Sequence, residues 1–276
     1  MHSSRIFKII LISIVIFLVL NMIYVIYGKI QCNRMIDAIK NNDITELESI
    51  LEFANPNCVT DTVIRAMLGQ KARHTPLGEA CNTGNFEMVK LLIEKGADVN
   101  YVPRYTLNTP LSFAVRSRSV DNFKIVKFLI ENGADVNFCR GNQPLPIIAA
   151  GPVSKASWPN AMEILEFLLE SGADYKKEVA LSAACSSKDE EMIRYLVEKR
   201  GYDASDPNCI VSYCYGFGEY SYETFEYLLE RGANPYEKYP INDYIGEKNA
   251  VQCLMEKSPE DAEKLIELAK KYGYEE

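Results

Sequence analysis

Val89-Lys90-Leu91-Leu92-Ile93-Glu94-Lys95-Gly96-Ala97-Asp98-Val99-Asn100 recurs, with two changes, as Val126-Lys127-Phe128-Leu129-Ile130-Glu131-Asn132-Gly133-Ala134-Asp135-Val136-Asn137. Looser copies end at Gly172-Ala173-Asp174-Tyr175, Gly201-Tyr202-Asp203 and Gly232-Ala233-Asn234-Pro235, so the phrase closes a structural unit. The glycine-led phrases start 37, 39, 29 and 31 residues apart. A second phrase precedes the first three: Thr75-Pro76-Leu77, Thr109-Pro110-Leu111 and Gln143-Pro144-Leu145, spaced by 34 and 34 residues. The chain is built by repetition.

Both phrases have a physical reason. Thr75 and Thr109 can accept a bond from a free backbone N–H at a helix start, and Pro76 and Pro110 take the first helical position, where no N–H is missed. In the helix that follows, Met88, Leu91, Leu92 and, less squarely, Ile93 are expected on one side, which a neighbour must cover. Gly96 and Gly133 then end it in the left-handed conformation, which costs other L-residues about 1–2 kcal/mol. The Asp and Asn that follow suit a turn.

A period of about 33 with Thr-Pro-Leu ahead of Gly-Ala-Asp resembles the ankyrin-repeat proteins. The resemblance spans residues 31–257. It implies an all-α ankyrin-repeat solenoid of six to seven helix-turn-helix units with short hairpin fingers. The first unit, starting at Met35, has lost Thr-Pro-Leu but keeps Asn42-Asp43 where the second has Gly84-Asn85. The fifth, from Val179, and the sixth, from Cys209, keep only the apolar spacing, and a seventh falls near 242–257. Members of the family carry His after Thr-Pro-Leu; here Gly78, Ser112, Pro146 and Ser182 stand there. Pro146 lies past the first helical position and predicts an irregular fourth unit. Residues 258–276 are expected to form a capping helix, with Ala262, Leu265, Ile266, Ala269 and Tyr272 at helical spacing and Ser258 paired with Asp261 as a weak capping box.

The amino end is different. Residues 1–8 form a short basic tail, and Ile9 to Tyr27 is a nineteen-residue run with only Ser13 and Asn21 clearly polar. As a helix it rises about 28 Å, close to the roughly 30 Å hydrocarbon core, so one transmembrane helix acting as an uncleaved signal-anchor is expected. Tyr24-Val25-Ile26-Tyr27-Gly28 lacks the small residues of a cleavage site. Arg5 and Lys8 before the run, and Lys29, Arg34 and Lys40 after it, leave its orientation open. Cys81, Cys185 and Cys214, among eight cysteines, fall where a helix wants a small buried residue; they read as packing rather than a disulfide framework and lean toward a reducing compartment. A short basic tail before a signal-anchor argues the reverse.

The chain of 276 residues carries a net charge of −8, and Arg5, Lys8 and Lys29 are unopposed in the first 29 residues, leaving −11 for the rest. That excludes nucleic acid as a partner, because a phosphate backbone needs clustered cations. Of the two histidines, His2 and His74, only His74 lies among the repeats, and the Cys209/Cys214 pair has no second pair to complete a zinc site, so no metal is expected. No phosphate loop, H-E-x-x-H or G-x-S-x-G occurs, and Gly216-Phe217-Gly218 is no dinucleotide fingerprint, so no cofactor is expected either.

Function therefore rests on surfaces. From the Thr-Pro-Leu-like start to the closing Gly, the second, third and fourth units measure 21, 24 and 29 residues. The extra residues fall between the helices, at Arg116-Ser117-Arg118-Ser119 and at 152–159, with another insertion at 216–222 in the sixth unit. Trp158, Tyr220 and Tyr222 there, and Tyr101, Arg104, Tyr105, Phe138 and Arg140 at the finger tips, are residue types that anchor protein interfaces. The expectation is a non-enzymatic, membrane-tethered module that binds a partner protein as scaffold or inhibitor. The alternative is an enzyme with an unrecognised thiol or carboxylate site, His74 with Cys81 being its best centre. On one helix those two would stand on the order of 10 Å apart, too far for direct proton transfer.

Overall fold

The structure, a computed structural model, describes residues 2–59, 75–102, 108–138, 160–173, 177–216, 219–242 and 246–275. They divide into two compact units, Met1–Ala134 and Asp135–Glu276.

In the first unit, α1 (His2–Lys40), α3 (Pro76–Thr83) and α5 (Pro110–Arg116) alternate with α2 (Ile44–Leu51), α4 (Phe86–Glu94) and α6 (Asn122–Glu131). First helices pack on first helices, α1 against α3 and α3 against α5, while α2 packs on α4 and α4 on α6. The expected caps are present: Thr75 Oγ1 accepts from the Gly78 N–H at 2.9 Å and Thr109 Oγ1 from the Ser112 N–H at 3.0 Å. Asp43 and Asn85 cap the second helices in the same way, from Glu46 and Met88. Gly84, at φ +73°, ends α3, and Asn42, at φ +58°, makes the equivalent turn of the first pair. An added Cβ at Gly84 would lie 2.0 Å from the Ser119 Cβ, so glycine is required there by space as well as by backbone.

The closing phrase is a helix stop and a stitch together. Gly96 sits at φ +88°, and the Ala97 N–H returns to the Leu92 carbonyl at 2.9 Å. Asp98 then accepts the Asn100 N–H at 2.8 Å, and the Asn100 amide donates to the next closing glycine, Gly133, at 2.9 Å. Asn57 does the same for Gly96 at 2.9 Å and also accepts the Asp98 N–H at 2.7 Å. Ala54-Asn55-Pro56-Asn57 is therefore the closing phrase of the first pair, unrecognised in the sequence because it lacks the glycine.

The expected buried face is corrected at Leu91, and Phe128, its counterpart in the recurring phrase, behaves alike. Leu91 and Phe128 are only half-buried; Met88, Val89 and Leu92, and likewise Ile125, Val126 and Leu129, are the buried sets. The covered stripe is turned by about one residue because each second helix is gripped by its own first helix as well as by its neighbour. Leu77, Leu92, Leu111, Leu129, Leu168, Leu196 and Leu228 are at most 2% exposed.

The second unit holds α7 (Ala161–Glu170), α8 (Lys177–Ser187), α9 (Glu190–Arg194), α10 (Pro207–Tyr215), α11 (Tyr222–Glu230), α12 (Ala250–Lys257) and α13 (Pro259–Lys271). α8, α10 and α12 pack in succession, and α13 covers α11 and α12. Asn137 donates to the Gly172 carbonyl at 3.0 Å, repeating the stitch of the first unit. After α9 the helix widens into a π-turn over Tyr195–Lys199. Its cause is a count: Leu196 to Gly201 is one residue longer than Leu92 to Gly96. The wider turn absorbs the extra residue, and the Tyr202 N–H still reaches the Leu196 carbonyl at 3.0 Å.

The all-α expectation needs one amendment. β1 (Tyr239–Asn242) and β2 (Gly246–Lys248) pair antiparallel, Tyr239 opposite Lys248, in the long connection before α12. Nor does Ser258 cap α13 as expected: its hydroxyl donates to the Asp261 carboxylate instead of accepting a backbone N–H. The expected irregular start of the fourth unit, 143–159 with Pro146, lies outside the described residues, as does His74.

Among the described residues the cysteines split into two kinds. Cys81, Cys185, Cys209, Cys214 and Cys253 are free and buried, as packing requires. Cys32 and Cys58 form a disulfide, their Cα atoms 5.9 Å apart, which the packing-only reading did not anticipate. The bond ties the loop after α2 back to α1.

Candidate interaction surface

Helix α1 plays two parts. From Cys32 to Ile39 its residues Cys32, Met35, Ile36, Ala38 and Ile39 are buried in the first helix pair. Upstream, large apolar side chains stand in the open, with Phe17 66% and Tyr24 77% exposed. By length and composition this stretch of helix can cross a membrane.

The turns between paired helices form one edge of the first unit. Here Ser117 and Ser119 of the longer third turn reach back to the second, donating to the Asn82 and Gly84 carbonyls at 3.1 and 3.2 Å. Asn122, fully buried, donates to the Ser117 carbonyl at 3.1 Å and fixes the loop from behind. Arg118 and Val120 are left exposed at its crest. Beside it lies an open recess of about 480 Å³ lined by Ile39, Asn42, Asn85, Phe86, Asp121 and Lys124 among others. The Lys124 ammonium sits 3.6 Å from the Phe86 ring centre, and Phe86 meets Phe128 edge-on at 5.3 Å.

In the second unit the turn residues make a denser arrangement. Tyr220 stacks on Phe225 at 5.9 Å, and its hydroxyl donates to the Cys214 carbonyl at 3.0 Å. Tyr213 accepts the Ser221 N–H at 2.9 Å and meets Phe225 edge-on at 5.1 Å. Three lysines cover aromatic faces: Lys188 over Tyr220 at 3.3 Å, Lys257 over Tyr215 at 4.3 Å and Lys264 over Tyr222 at 4.7 Å. Partial burial pulls the Lys188 ammonium down to about 8, and burial pushes the Tyr220 phenol up to about 12. The Tyr222 hydroxyl donates to Asp261, whose carboxyl is held below its usual range first by Ser258 and then by Tyr222.

Of the residues picked out by sequence, Tyr220 and Tyr222 are brought together in this cluster, Tyr220 half-buried and Tyr222 exposed. Tyr101 and Phe138 hold equivalent places after their closing phrases, their N–H groups bonded to the Asp98 and Asp135 carbonyls at 3.1 and 3.3 Å. Tyr101 is half-buried and Phe138 is 36% exposed. Arg104, Tyr105, Arg140 and Trp158 lie outside the described residues. Sequence reasoning missed Lys124, Lys188, Lys257 and Lys264; the first three are lysines in or close to an inter-helix turn and Lys264 lies within α13, and each reads from sequence as an ordinary solvated charge.

Residues 35–139 match the family described as ankyrin repeats (3 copies). A solved structure, the crystal structure of the human ASB11 ankyrin repeat domain, superposes with a TM-score of 0.62 at 24% identity, covering 85% of this chain and 96% of that one. This is an ankyrin-repeat fold. No curated protein matches the sequence. Ankyrin repeats are generally non-enzymatic modules for protein–protein interaction. Of the alternative catalytic pair, Cys81 is fully buried in the ankyrin core, and burial pushes its thiol far above the usual thiol range.

Proposed function

We propose that the chain is a membrane-tethered ankyrin module that binds another protein, holding it near the bilayer as a scaffold or blocking it as an inhibitor. The observation that carries this reading is the dual character of α1, whose exposed apolar half continues without a break into the buried first helix of the repeats. The partner-binding residues are the finger-tip set Tyr101, Arg104, Tyr105, Phe138 and Arg140, with the inter-helix set Trp158, Tyr220 and Tyr222. Aromatic and Arg side chains suit a protein surface, and the acidic balance of the repeats disfavours nucleic acid.

Two measurements test it. Alkaline carbonate extraction of native membranes is expected to leave the full-length chain in the pellet; release as a soluble, shortened protein overturns the tether. A photo-crosslinking residue at Phe138 is expected to yield one covalent adduct of defined mass in those membranes. The adduct is expected to vanish with Tyr105→Ala and Arg140→Ala while the melting temperature holds. No adduct, or one that survives both substitutions, overturns the assigned surface.

A further inference from the structure

The turn at residues 41–43 sends α2 back along α1, toward the end from which the apolar run emerges. The loop after α2 consequently returns to the level of Cys32, and the Cys32–Cys58 bond, with Cα atoms 5.9 Å apart, pins it there. Tyr27 is five residues before Cys32, a rise of about 7.5 Å in a helix. A headgroup layer is roughly 5–8 Å thick on each side of the hydrocarbon core. Phe53, at the head of this loop, is 80% exposed, and Ile30 on the neighbouring turn of α1 is 51% exposed. The inter-helix turns lie at the far end: Asn42 is fifteen residues past Tyr27, about 22 Å along the helix.

We infer that the loop after α2 rests against the lipid surface that α1 crosses, with Phe53 seated at the headgroup–acyl boundary. This rests on the tether reading. An aromatic ring at that depth gains from an apolar underside and a wet rim. The inter-helix edge, with the exposed Val120, then points away from the bilayer.

The test uses the full chain in vesicles containing lipids brominated high on the acyl chain. Phe53→Trp and, separately, Val120→Trp are each made with Trp158→Phe, so that each protein has one tryptophan. Both positions are exposed and tolerate the change. Emission from residue 53 is expected to be blue-shifted and at least halved by brominated lipid, and that from residue 120 water-like and unquenched. Water-like, unquenched emission from residue 53 in a carbonate-resistant protein overturns the apposition and leaves the tether standing. Equal quenching at both positions overturns the orientation, and loss from the membrane fraction overturns both readings.

The Cys32–Cys58 bond independently assigns a compartment. Such bonds persist where the surroundings are oxidising and are rare where thiols are kept reduced. The structure assigns the repeats to the oxidising side of the membrane, with the Arg5/Lys8 tail on the other. Formation is a thiol–disulfide exchange: the two thiols lose two protons and two electrons, and a protein disulfide oxidant of that compartment becomes a dithiol. Denatured full-length chain taken from native membranes is expected to accept six maleimide–polyethylene glycol groups before reduction and eight after, from its eight cysteines. With Cys32→Ser the expectation is seven in both cases. Eight adducts without reductant overturns the assignment.

Discussion

The second helix pair and the fifth solve the same problem, closing a helix and returning the chain to its neighbour, by different means. At Gly96 a left-handed residue and a hydrogen-bonded alanine do it, and Asn100 carries the chain on to Gly133. At Gly201 the helix first widens to absorb one residue, and a buried Tyr202 stands where the other repeats keep alanine. The wider contrast follows the same line. Where the repeating phrase survives, backbone-directed bonds set the spacing of neighbours. Where it fades, large rings pack the two helices of a pair together, as Tyr213, Tyr220 and Phe225 show.

The sharpest way to break the contrast is to remove the ring that anchors the second strategy. Phe225→Ala is expected to cost about 3–5 kcal/mol, and Leu92→Ala in the first unit about 2–5 kcal/mol. Urea denaturation checks both, and an unchanged midpoint for either variant contradicts its placement in the core. Next come the glycines. At Gly96 an added Cβ meets nothing within 4 Å, so Gly96→Ala carries only the left-handed cost of about 1–2 kcal/mol. Gly84→Ala must in addition displace Ser119, and its loss of Tm is expected to exceed that of Gly96→Ala. Equal losses would mean that the Ser117–Ser119 loop swings clear at no cost.

Much of this was legible from residue types alone, because caps and stops depend on local chemistry. Thr75 and Thr109 announce their helices, and Gly96, Gly133, Gly172 and Gly232 announce their ends. The rest depended on partners far away in the chain. Leu91 and Val89 differ in burial only through which neighbour grips α4, and a helical wheel cannot see that. Asn57 carries the stitch without the glycine that marks its relatives. Cys32 is indistinguishable from a packing cysteine until the loop that holds Cys58 is brought back beside it. In the candidate surface, Tyr220 and Tyr222 were found by type, whereas the lysines over the rings needed geometry.

Smaller effects sharpen the comparison further. Asn100→Ala is expected to cost about 1 kcal/mol, the net worth of a hydrogen bond, and to raise amide exchange at residues 97–102 before it moves the global midpoint. The smallest effect concerns pH. Asp261 has its pKa lowered by Ser258 and Tyr222. Its contribution is therefore present above the usual carboxylate value and fades as pH falls through the lowered one. The residue is half-buried at the surface and still reached by solvent, so screening keeps the effect slight. Asp261→Asn is expected to lower Tm at about pH 6 and to match the parent at about pH 2; an equal deficit at both values would show that the charge plays no part.

Because a single unbroken helix supplies both the apolar run and the first layer of the repeats, there is no swivel between them. Whatever grips the run also sets the compass heading of the first unit. A load hung on the first unit is passed down that rod as tilt, so this unit works as a fixed bracket rather than a hook on a string.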